Sequence, residues 1–219
     1  MESQANGDLV GELISGIGTL LELGGPVVAI LLAASVVGLA LALLKFFQYS
    51  TLSSSAMDEV ANGIELWAKG EIQTATKVFE GSRLSLASDI QFGLEKLEVF
   101  DADLLREELL RRGAAFIQPY ASNLRPLELI YYLAPVLGLL GTVLGMIDAF
   151  RGLAVSSGGE GESSALAGGI WEALLTTAVG LSIAIPFAVM HALLESRLGA
   201  ITDRVADLLT RVQTIGGKS

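Results

Sequence analysis

A carboxylate and two hydroxyls open the last long apolar segment of the chain. The stretch 168–181, GGIWEALLTTAVGL, contains Glu172 and, one helical turn later, Thr176 and Thr177. Polar groups are expensive to hold in hydrocarbon, and those that persist there commonly serve an ion or proton path. The stretch therefore predicts an ion path with Glu172, Thr176 and Thr177 as its candidate residues.

Each of these residues also has an interpretation that involves no ion. Glu172 is equally compatible with a first-turn acid at the membrane interface, where a helix dipole favours negative charge. At about 100° per residue, Thr176 lies on nearly the same face as Glu172, whereas Thr177 is offset from it by roughly 140°. The two threonines cannot both point along the Glu172 face. One can face a lumen while the other bonds to a backbone carbonyl or meets a neighbouring helix.

Small residues at three- and four-residue spacing predict close packing between the last two apolar segments. Small side chains allow the backbones of membrane helices to approach each other. This packing is expected within one subunit or between subunits. The candidate packing residues are Gly138, Gly141, Gly145, Gly180 and Ala184.

Three further polar residues lie near these segments. Asp148 and Arg151 are three residues apart, which allows an ion pair on a helix. A structural pair at the interface is the favoured interpretation, and a pair at the outer mouth of an ion path is the alternative. His191, the only histidine, suits a hydrogen-bonded interfacial role better than a proton relay.

The composition predicts a membrane protein rather than an enzyme or a nucleic-acid-binding protein. Apolar residues make up 52% of the 219 positions, and the mean hydropathy is +0.58. The net charge of −10 argues against nucleic acid as a partner. The absence of cysteine excludes thiolate chemistry, and no P-loop, HExxH or nucleophile–base motif occurs. No metal or cofactor is expected, apart from a transported ion.

Three segments are long and apolar enough to span a bilayer. The first begins with the uncharged run 26–44, PVVAILLAASVVGLALALL, and the N-terminus lacks the basic region of a cleaved signal peptide. Between the first two spans, amphipathic helical patterns predominate and no strand pattern is visible. The fold class predicted is all-α, polytopic, with three transmembrane helices and a helical cytoplasmic extension. The predicted segments are an N-terminal amphipathic helix (1–25), transmembrane helix 1 (26–47), a helical segment (48–127), transmembrane helix 2 (128–154), a loop (155–167), transmembrane helix 3 (168–195) and a C-terminal helix (196–219).

The distribution of lysine and arginine predicts the orientation. None precedes the first span, nine of the fourteen lie between Lys45 and Arg125, and four follow the third span. The N-terminus is therefore predicted outside and the C-terminus in the cytoplasm. The large segment 48–127 is predicted to be cytoplasmic.

Two passages read together resemble the MotA/TolQ/ExbB proton-channel family. They are LAPVLGLLGTVLGMIDAF (133–150) and GGIWEALLTTAVGLSIAIPFAVMHALL (168–194). The specific elements are the GLLGTVxGM core, the EALLxTAxGL run and the Ile-Pro that follows. The resemblance is closest over 126–200, and three spans favour the ExbB/TolQ branch.

The resemblance implies a role for individual residues and a set of partners. Glu172 falls on the family's intramembrane glutamate, and Thr142 and Thr177 fall on its lumen-facing threonines. The family implies a pentamer in the bacterial inner membrane, whose central pore encloses the single-span helices of an ExbD/TolR-like dimer with a titrating aspartate. Ion flow would then drive a TonB- or TolA-like transducer, for nutrient import or envelope maintenance.

One position departs from the family pattern. Proton-type relatives carry alanine where this chain has Thr176, and an extra hydroxyl oxygen suits a hard cation such as sodium. Coupling to protons and coupling to sodium both remain hypotheses, as does a packing role for this hydroxyl. The competing function is a helical membrane scaffold without an ion path, in which Glu172 and the threonines only join subunits.

Overall fold

The computed structural model describes residues 2–50, 52, 54–122, 124–155 and 162–216, and all regular structure in these ranges is helical. Most side chains of the predicted N-terminal amphipathic helix (1–25) lie outside the described residues. The helices are α1 (Glu2–Ser50), α2 (Ser54–Ala68), α3 (Ile72–Gly81), α4 (Ser85–Glu95), α5 (Ala102–Ala121), α6 (Leu124–Val155) and α7 (Glu162–Gly216).

Helix α1 is broken at Gly25. Its φ of 58° and ψ of −161° are non-helical, and a positive φ is readily adopted only by glycine. Pro26 follows, and proline favours the first turn of a helix because its missing N–H would find no intrahelical acceptor there. The break coincides with the predicted start of the first span at residue 26.

Among the described residues, three helical segments are long and apolar enough to cross a membrane: Gly24–Ala68, Leu124–Ala154 and Leu166–Gly216. Large apolar side chains on these helices are exposed in the isolated chain, among them Val36, Leu139 and Trp171. Exposed apolar surface of this extent is typical of contact with lipid or with other subunits. The chain is an all-α polytopic membrane protein with three candidate transmembrane helices, which confirms this part of the predicted fold class.

The last two helices extend beyond the predicted spans. Helix α6 begins at Leu124, so Arg125 and Pro126 lie in its first turn. Helix α7 begins at Glu162, six residues before the predicted span, although serine and glycine in 156–164 had indicated a loop throughout. The run 165–167, ALA, consists of strong helix formers and supports helix ahead of the apolar segment.

The chain divides into two compact units. The first consists of residues 2–42 and 125–191, and the second of residues 43–124 and 192–216. In the first unit, Val27 and Leu31 of α1 pack with Ala134 of α6 and Ala184 of α7.

In the second unit, α2 to α5 and the last part of α7 share one apolar core. Helix α7 contributes Val205, Leu208, Leu209 and Val212, whose spacing places them on one helix face. The amphipathic pattern of the sequence follows from this core. Its members from α2 to α5 and the turn before α4 are Met57, Val60, Ala61, Ile64, Ala75, Phe79, Leu84, Leu86, Ala87, Ile90, Leu94, Leu105, Leu109 and Phe116.

Two local devices set the ends of these helices. Gly70, with φ of 86°, follows α2, and its N–H donates to the carbonyl of Trp67 at 2.9 Å. A glycine with positive φ commonly ends a helix in this way. At the start of α5, the Asp101 carboxylate accepts from the N–H of Asp103 at 3.0 Å and caps the helix.

A buried lysine caps the other end of α5. Lys45 is 3% exposed, and its Nζ donates to the carbonyls of Pro119 and Tyr120, both at 3.0 Å, and to Gln48 Oε1 at 2.9 Å. The last carbonyls of a helix have no intrahelical partner, and the negative end of the helix dipole favours a cation there. Tyr49 adds a hydrogen bond to the Tyr120 carbonyl at 2.9 Å.

An ion-pair network joins α4 to α5. Arg112 contacts Asp89 at 2.8 Å and Glu108 at 2.7 Å, and its guanidinium lies 3.9 Å from the centre of the Phe92 ring. Hydrogen bonds from Arg111 and then from Arg112 lower the pKa of Glu108 to about 2. The same bonds raise the pKa of both arginines.

Candidate functional site

Helices α6 and α7 are in backbone contact along a line of small residues. A Cβ on Gly180 would lie 2.5 Å from the carbonyl oxygen of Ala134 and 3.2 Å from Cα of Gly138. A Cβ on Gly138 would lie 3.0 Å from Cα of Thr177. A side chain at Gly180 would force a shift of the α6 backbone, and one at Gly138 would be in tight contact with the α7 backbone.

The same line continues along both helices. A Cβ on Gly145 would lie 3.0 Å from Cβ of Ala173, and a Cβ on Gly169 would lie 2.5 Å from Cβ of Ala149. The predicted packing glycines of α6 and α7 therefore lie at the contact between these two helices. Gly169 also belongs to this line but was not predicted, because the sequence indicated it only as part of the pair Gly168–Gly169 that opens the segment.

The two adjacent threonines both reach the partner helix. Thr176 Oγ1 lies 3.1 Å from the carbonyl oxygen of Gly138 and 2.7 Å from that of Ala173. Thr177 Oγ1 lies 3.0 Å from the same Gly138 oxygen. Thr176 is buried and Thr177 is half-buried. The sequence analysis assigned a carbonyl contact to only one of the pair, whereas both make one.

Thr142 lies on α6, one helical turn after Gly138. Its hydroxyl donates to the carbonyl of Leu139 at 2.6 Å. It lines an open groove along α6 that is otherwise apolar, formed with Val143, Met146, Ile147 and Phe150. Thr142 and Thr177, which match the threonines of the family pattern and are called the family threonines below, both lie near Gly138. Thr177 donates to the carbonyl of Gly138, and Thr142 follows Gly138 by one turn of α6.

The hydroxyl groups of Thr142 and Thr177 each donate a hydrogen bond to a backbone carbonyl. A threonine hydroxyl has one proton and two lone pairs. With the proton of Thr142 on Leu139 and that of Thr177 on Gly138, each oxygen offers lone pairs only. In this arrangement such an oxygen can accept a hydrogen bond from an acid or contact a cation, and it would have to give up its bond to the carbonyl in order to donate to an anion.

Glu172 is exposed and lies well inside α7. Because α7 begins at Glu162, the interpretation of Glu172 as a first-turn acid is wrong. Its Oε1 would lie 3.6 Å from a Cβ on Gly25, at the break in α1. Among the described residues it makes no hydrogen bond with Thr142, Thr176 or Thr177. The proximity to Gly25 was not predictable, because the two residues are far apart in the sequence.

The remaining candidates lie away from this contact. Asp148 and Arg151 form an ion pair of 3.6 Å with both side chains about three-quarters exposed, a geometry that contributes little to stability. His191 packs its ring 5.4 Å from that of Tyr131. In the part of the chain that the structure describes, no cluster of three His, Cys, Asp or Glu side chains is placed to hold a metal ion.

The membrane-spanning helices, with hydroxyls and a carboxylate on the last two, define the class as a polytopic membrane protein with a candidate ion path. A model of the MotA/TolQ/ExbB proton channel family matches residues 85–207, which is more than half of the chain. The chain therefore belongs to the MotA/TolQ/ExbB proton channel family. The family and the apolar helices together make it a multi-pass inner-membrane protein.

Several curated proteins are similar to this chain. The Biopolymer transport protein exbB1 of Vibrio cholerae is 49% identical over 86 residues, which cover 36% of this chain and 37% of that protein. The Tol-Pal system protein TolQ of Haemophilus influenzae is 37% identical over 82 residues, 37% of this chain and 35% of that protein. The chain thus spans little more than a third of the length of these two relatives.

A longer match extends the likeness beyond the last two helices. The Putative biopolymer transport protein ExbB homolog of Methanothermobacter thermautotrophicus is 26% identical over 197 residues, 88% of this chain and 69% of that protein. The ExbB and TolQ names of these relatives agree with the predicted branch of the family.

Proposed function

We propose that this chain is the pore-forming subunit of an inner-membrane complex of the ExbB/TolQ type, in which ion flow drives mechanical work. The observation that carries the proposal is the hydrogen bonding of Thr142 and Thr177. Thr142 and Thr177 lie close to one helix contact, and each presents an oxygen whose proton is already bonded to a carbonyl.

Acceptor-only oxygens suit the passage of a protonated acid or a bare cation. In the family, a titrating aspartate is carried by a single-span partner. Its protonated carboxyl has one O–H, which would donate to Thr142 or to Thr177, whereas its ionised form would find no donor in either hydroxyl. The neutral acid is therefore stabilised at this level of the membrane, which favours carrying a proton across it. A sodium ion would use the same lone pairs, so both ions are retained as candidates.

Glu172 is an exposed acid on the same helix as Thr177. An exposed carboxylate at the membrane level raises the local concentration of cations, whether hydronium or sodium. Movement of one elementary charge across the membrane releases about 2.3 kcal/mol per 100 mV, which is the energy source for the work.

The proposed assembly follows the family. The chain forms a homo-oligomer, a pentamer by analogy, around the single-span helices of an ExbD/TolR-like dimer. The N-terminus is periplasmic, and the second unit and the C-terminus are cytoplasmic. A TonB- or TolA-like protein receives the work and serves nutrient import or envelope maintenance. No enzymatic reaction is part of this function.

Replacement of Glu172 by glutamine tests the proposal against a scaffold without an ion path. The full chain is purified with its single-span partner, reconstituted in vesicles, and assayed for ion flux and for assembly by size-exclusion chromatography. We expect Glu172→Gln to assemble normally and to lose about tenfold or more of its flux, the factor that corresponds to 1.4 kcal/mol. Glu195→Gln, on the same helix, is the matched control.

Two results would contradict the proposal. If the wild-type complex carries neither protons nor sodium under a gradient, there is no ion path. If Glu172→Gln prevents assembly while the control assembles, the carboxylate joins subunits and the scaffold hypothesis is favoured.

A further inference from the structure

Thr176 is the residue that departs from the family pattern, and it occupies the most enclosed position at the α6–α7 contact. Thr176 is 3% exposed, whereas Thr177 is only half-buried. An ion ligand needs a free side on which the ion can sit. The burial of Thr176 by protein on all sides fits a different role.

The side chain of Thr176 fills a hole that Gly141 leaves in α6. A Cβ on Gly141 would lie 2.6 Å from Cβ of Thr176 and 3.0 Å from its Cγ2, and it would also overlap Oγ1. All three heavy atoms of the Thr176 side chain thus lie within contact distance of the position that a Cβ at residue 141 would occupy. Gly141 and Thr176 are a complementary pair.

The hydroxyl distances decide how the protons are shared. Thr176 has one proton and two carbonyls within reach, and the shorter distance of 2.7 Å assigns the proton to Ala173 in its own helix. The carbonyl oxygen of Gly138 accepts from Thr177 at 3.0 Å, and it has a second lone pair on the side of Thr176. Thr176 is therefore satisfied without the Gly138 carbonyl that orients Thr177.

We propose that Thr176 is a positioning residue that packs α7 against α6 at Gly141. Its own hydroxyl donates to Ala173, and the Gly138 carbonyl accepts the proton of Thr177. The oxygen of Thr177 is thereby oriented as an acceptor for the ion or acid. This inference rests on the proposed function. It predicts that Thr176 is not an ion ligand and that its hydroxyl does not set the choice between proton and sodium.

The contact itself is tested by a double-mutant cycle that does not depend on ion transport. Gly141→Ala, Thr176→Gly and the double variant are compared with the wild type in thermal unfolding of the purified full chain in detergent. The double variant loses one helical glycine at position 141 and gains one at position 176, so its total helix propensity is close to that of the wild type. Gly152→Ala on α6, where a Cβ would meet nothing within 4 Å, is the control.

We expect both single variants to lower the unfolding midpoint. The loss in the double variant should be smaller than the sum of the single losses by at least about 2 °C, because removal of the Thr176 side chain makes room for the new Cβ. Additive losses would overturn the inference, since the two positions would then be uncoupled.

The role in positioning is tested by the same substitution at adjacent residues. Thr176→Val and Thr177→Val are reconstituted with the partner, and flux is measured under a pH gradient and under a sodium gradient without a pH gradient. Valine retains the branched shape and removes the hydroxyl. We expect Thr176→Val to retain the ion preference of the wild type, and Thr177→Val to lose about tenfold or more of its flux.

The possible results separate this inference from the function on which it rests. A selective loss of sodium flux in Thr176→Val would identify its hydroxyl as a ligand and overturn the inference. A wild-type complex without flux of either ion would refute the proposed function, while the double-mutant cycle would still test the contact between Gly141 and Thr176.

Discussion

At the scale of single residues, the direction of each hydroxyl proton determines what the site can do. Thr142 and Thr177 were identified from the sequence through a family pattern, but their hydrogen-bonding state was not visible there. The acceptor for Thr177 is Gly138, a residue of another helix. Because that contact depends on how α6 and α7 pack, residue types and spacing alone could not reveal that the oxygens are acceptors only.

Lys45 shows the same limitation in the second unit. The sequence indicated it only as a positive charge at the end of the first span. The structure places its ammonium on two carbonyls of α5, more than seventy residues away in the chain. No local pattern encodes such a contact, since any lysine near a span end would look alike in the sequence.

Replacement of Lys45 by methionine should destabilise the second unit. The variant removes the charged donor from the carbonyls of Pro119 and Tyr120, which keep hydrogen bonds from Ser122 and Tyr49. We expect the loss of these charge-assisted hydrogen bonds to cost about 1 kcal/mol or more. The measurement is the thermal unfolding midpoint of the purified full chain, with Lys69→Met at the exposed end of α2 as the control. A midpoint equal to that of the control would show that the buried ammonium does not stabilise α5.

At the scale of elements, the contact between α6 and α7 was the most predictable feature. Gly138, Gly141, Gly145 and Gly180 recur at helical spacing, and the structure places all four at this contact. The pattern could not say whether the partner helix belongs to the same subunit. Within the chain the partner is settled by the pairing of Gly138 with Gly180 and of Gly145 with Ala173.

Replacement of Gly180 by alanine should separate these helices. The new Cβ would lie 2.5 Å from the backbone oxygen of Ala134, which cannot move without a shift of α6. Overpacking of this kind costs about 1–3 kcal/mol. Thermal unfolding of Gly180→Ala is compared with Gly199→Ala on the same helix, where a Cβ has open space. Equal midpoints would contradict the backbone contact.

The ion pairs of α5 give the second unit a specific acid sensitivity. Glu108 has its pKa lowered to about 2 by Arg111 and Arg112, against an ordinary value of 4.5. A lowered pKa in the folded state means that the stabilisation is complete above pH 4.5 and is lost as the pH falls towards 2.

Glu108→Gln should therefore lower the unfolding midpoint at neutral pH, and its difference from the wild type should shrink as the pH falls below 4.5. The measurement is the midpoint of both proteins across this range, with the adjacent exposed Glu107→Gln as control. A difference that stays constant with pH would show that the ion pairs of Glu108 with Arg111 and Arg112 do not stabilise the folded protein.

At the scale of the whole molecule, composition and span length were sufficient to predict an all-α membrane protein, because apolar runs of this length have few other uses. The break at Gly25 and the early start of α7 at Glu162 were not predicted. Both depend on backbone conformation at glycine- and serine-containing segments, where several conformations satisfy the same residues. The stoichiometry and the choice of ion are properties of the complex, and both stay predictions.

The measurement that tests the central claim most directly is ion flux through the reconstituted complex after both family threonines lose their oxygens. The double variant Thr142→Val/Thr177→Val is assayed beside the wild type under a pH gradient and under a sodium gradient, with assembly verified by size-exclusion chromatography. We predict an intact assembly whose flux falls by about tenfold or more, because the acid or ion loses its acceptors. Flux equal to the wild type in an intact assembly would contradict the account, since the ion would then pass without contacting Thr142 or Thr177.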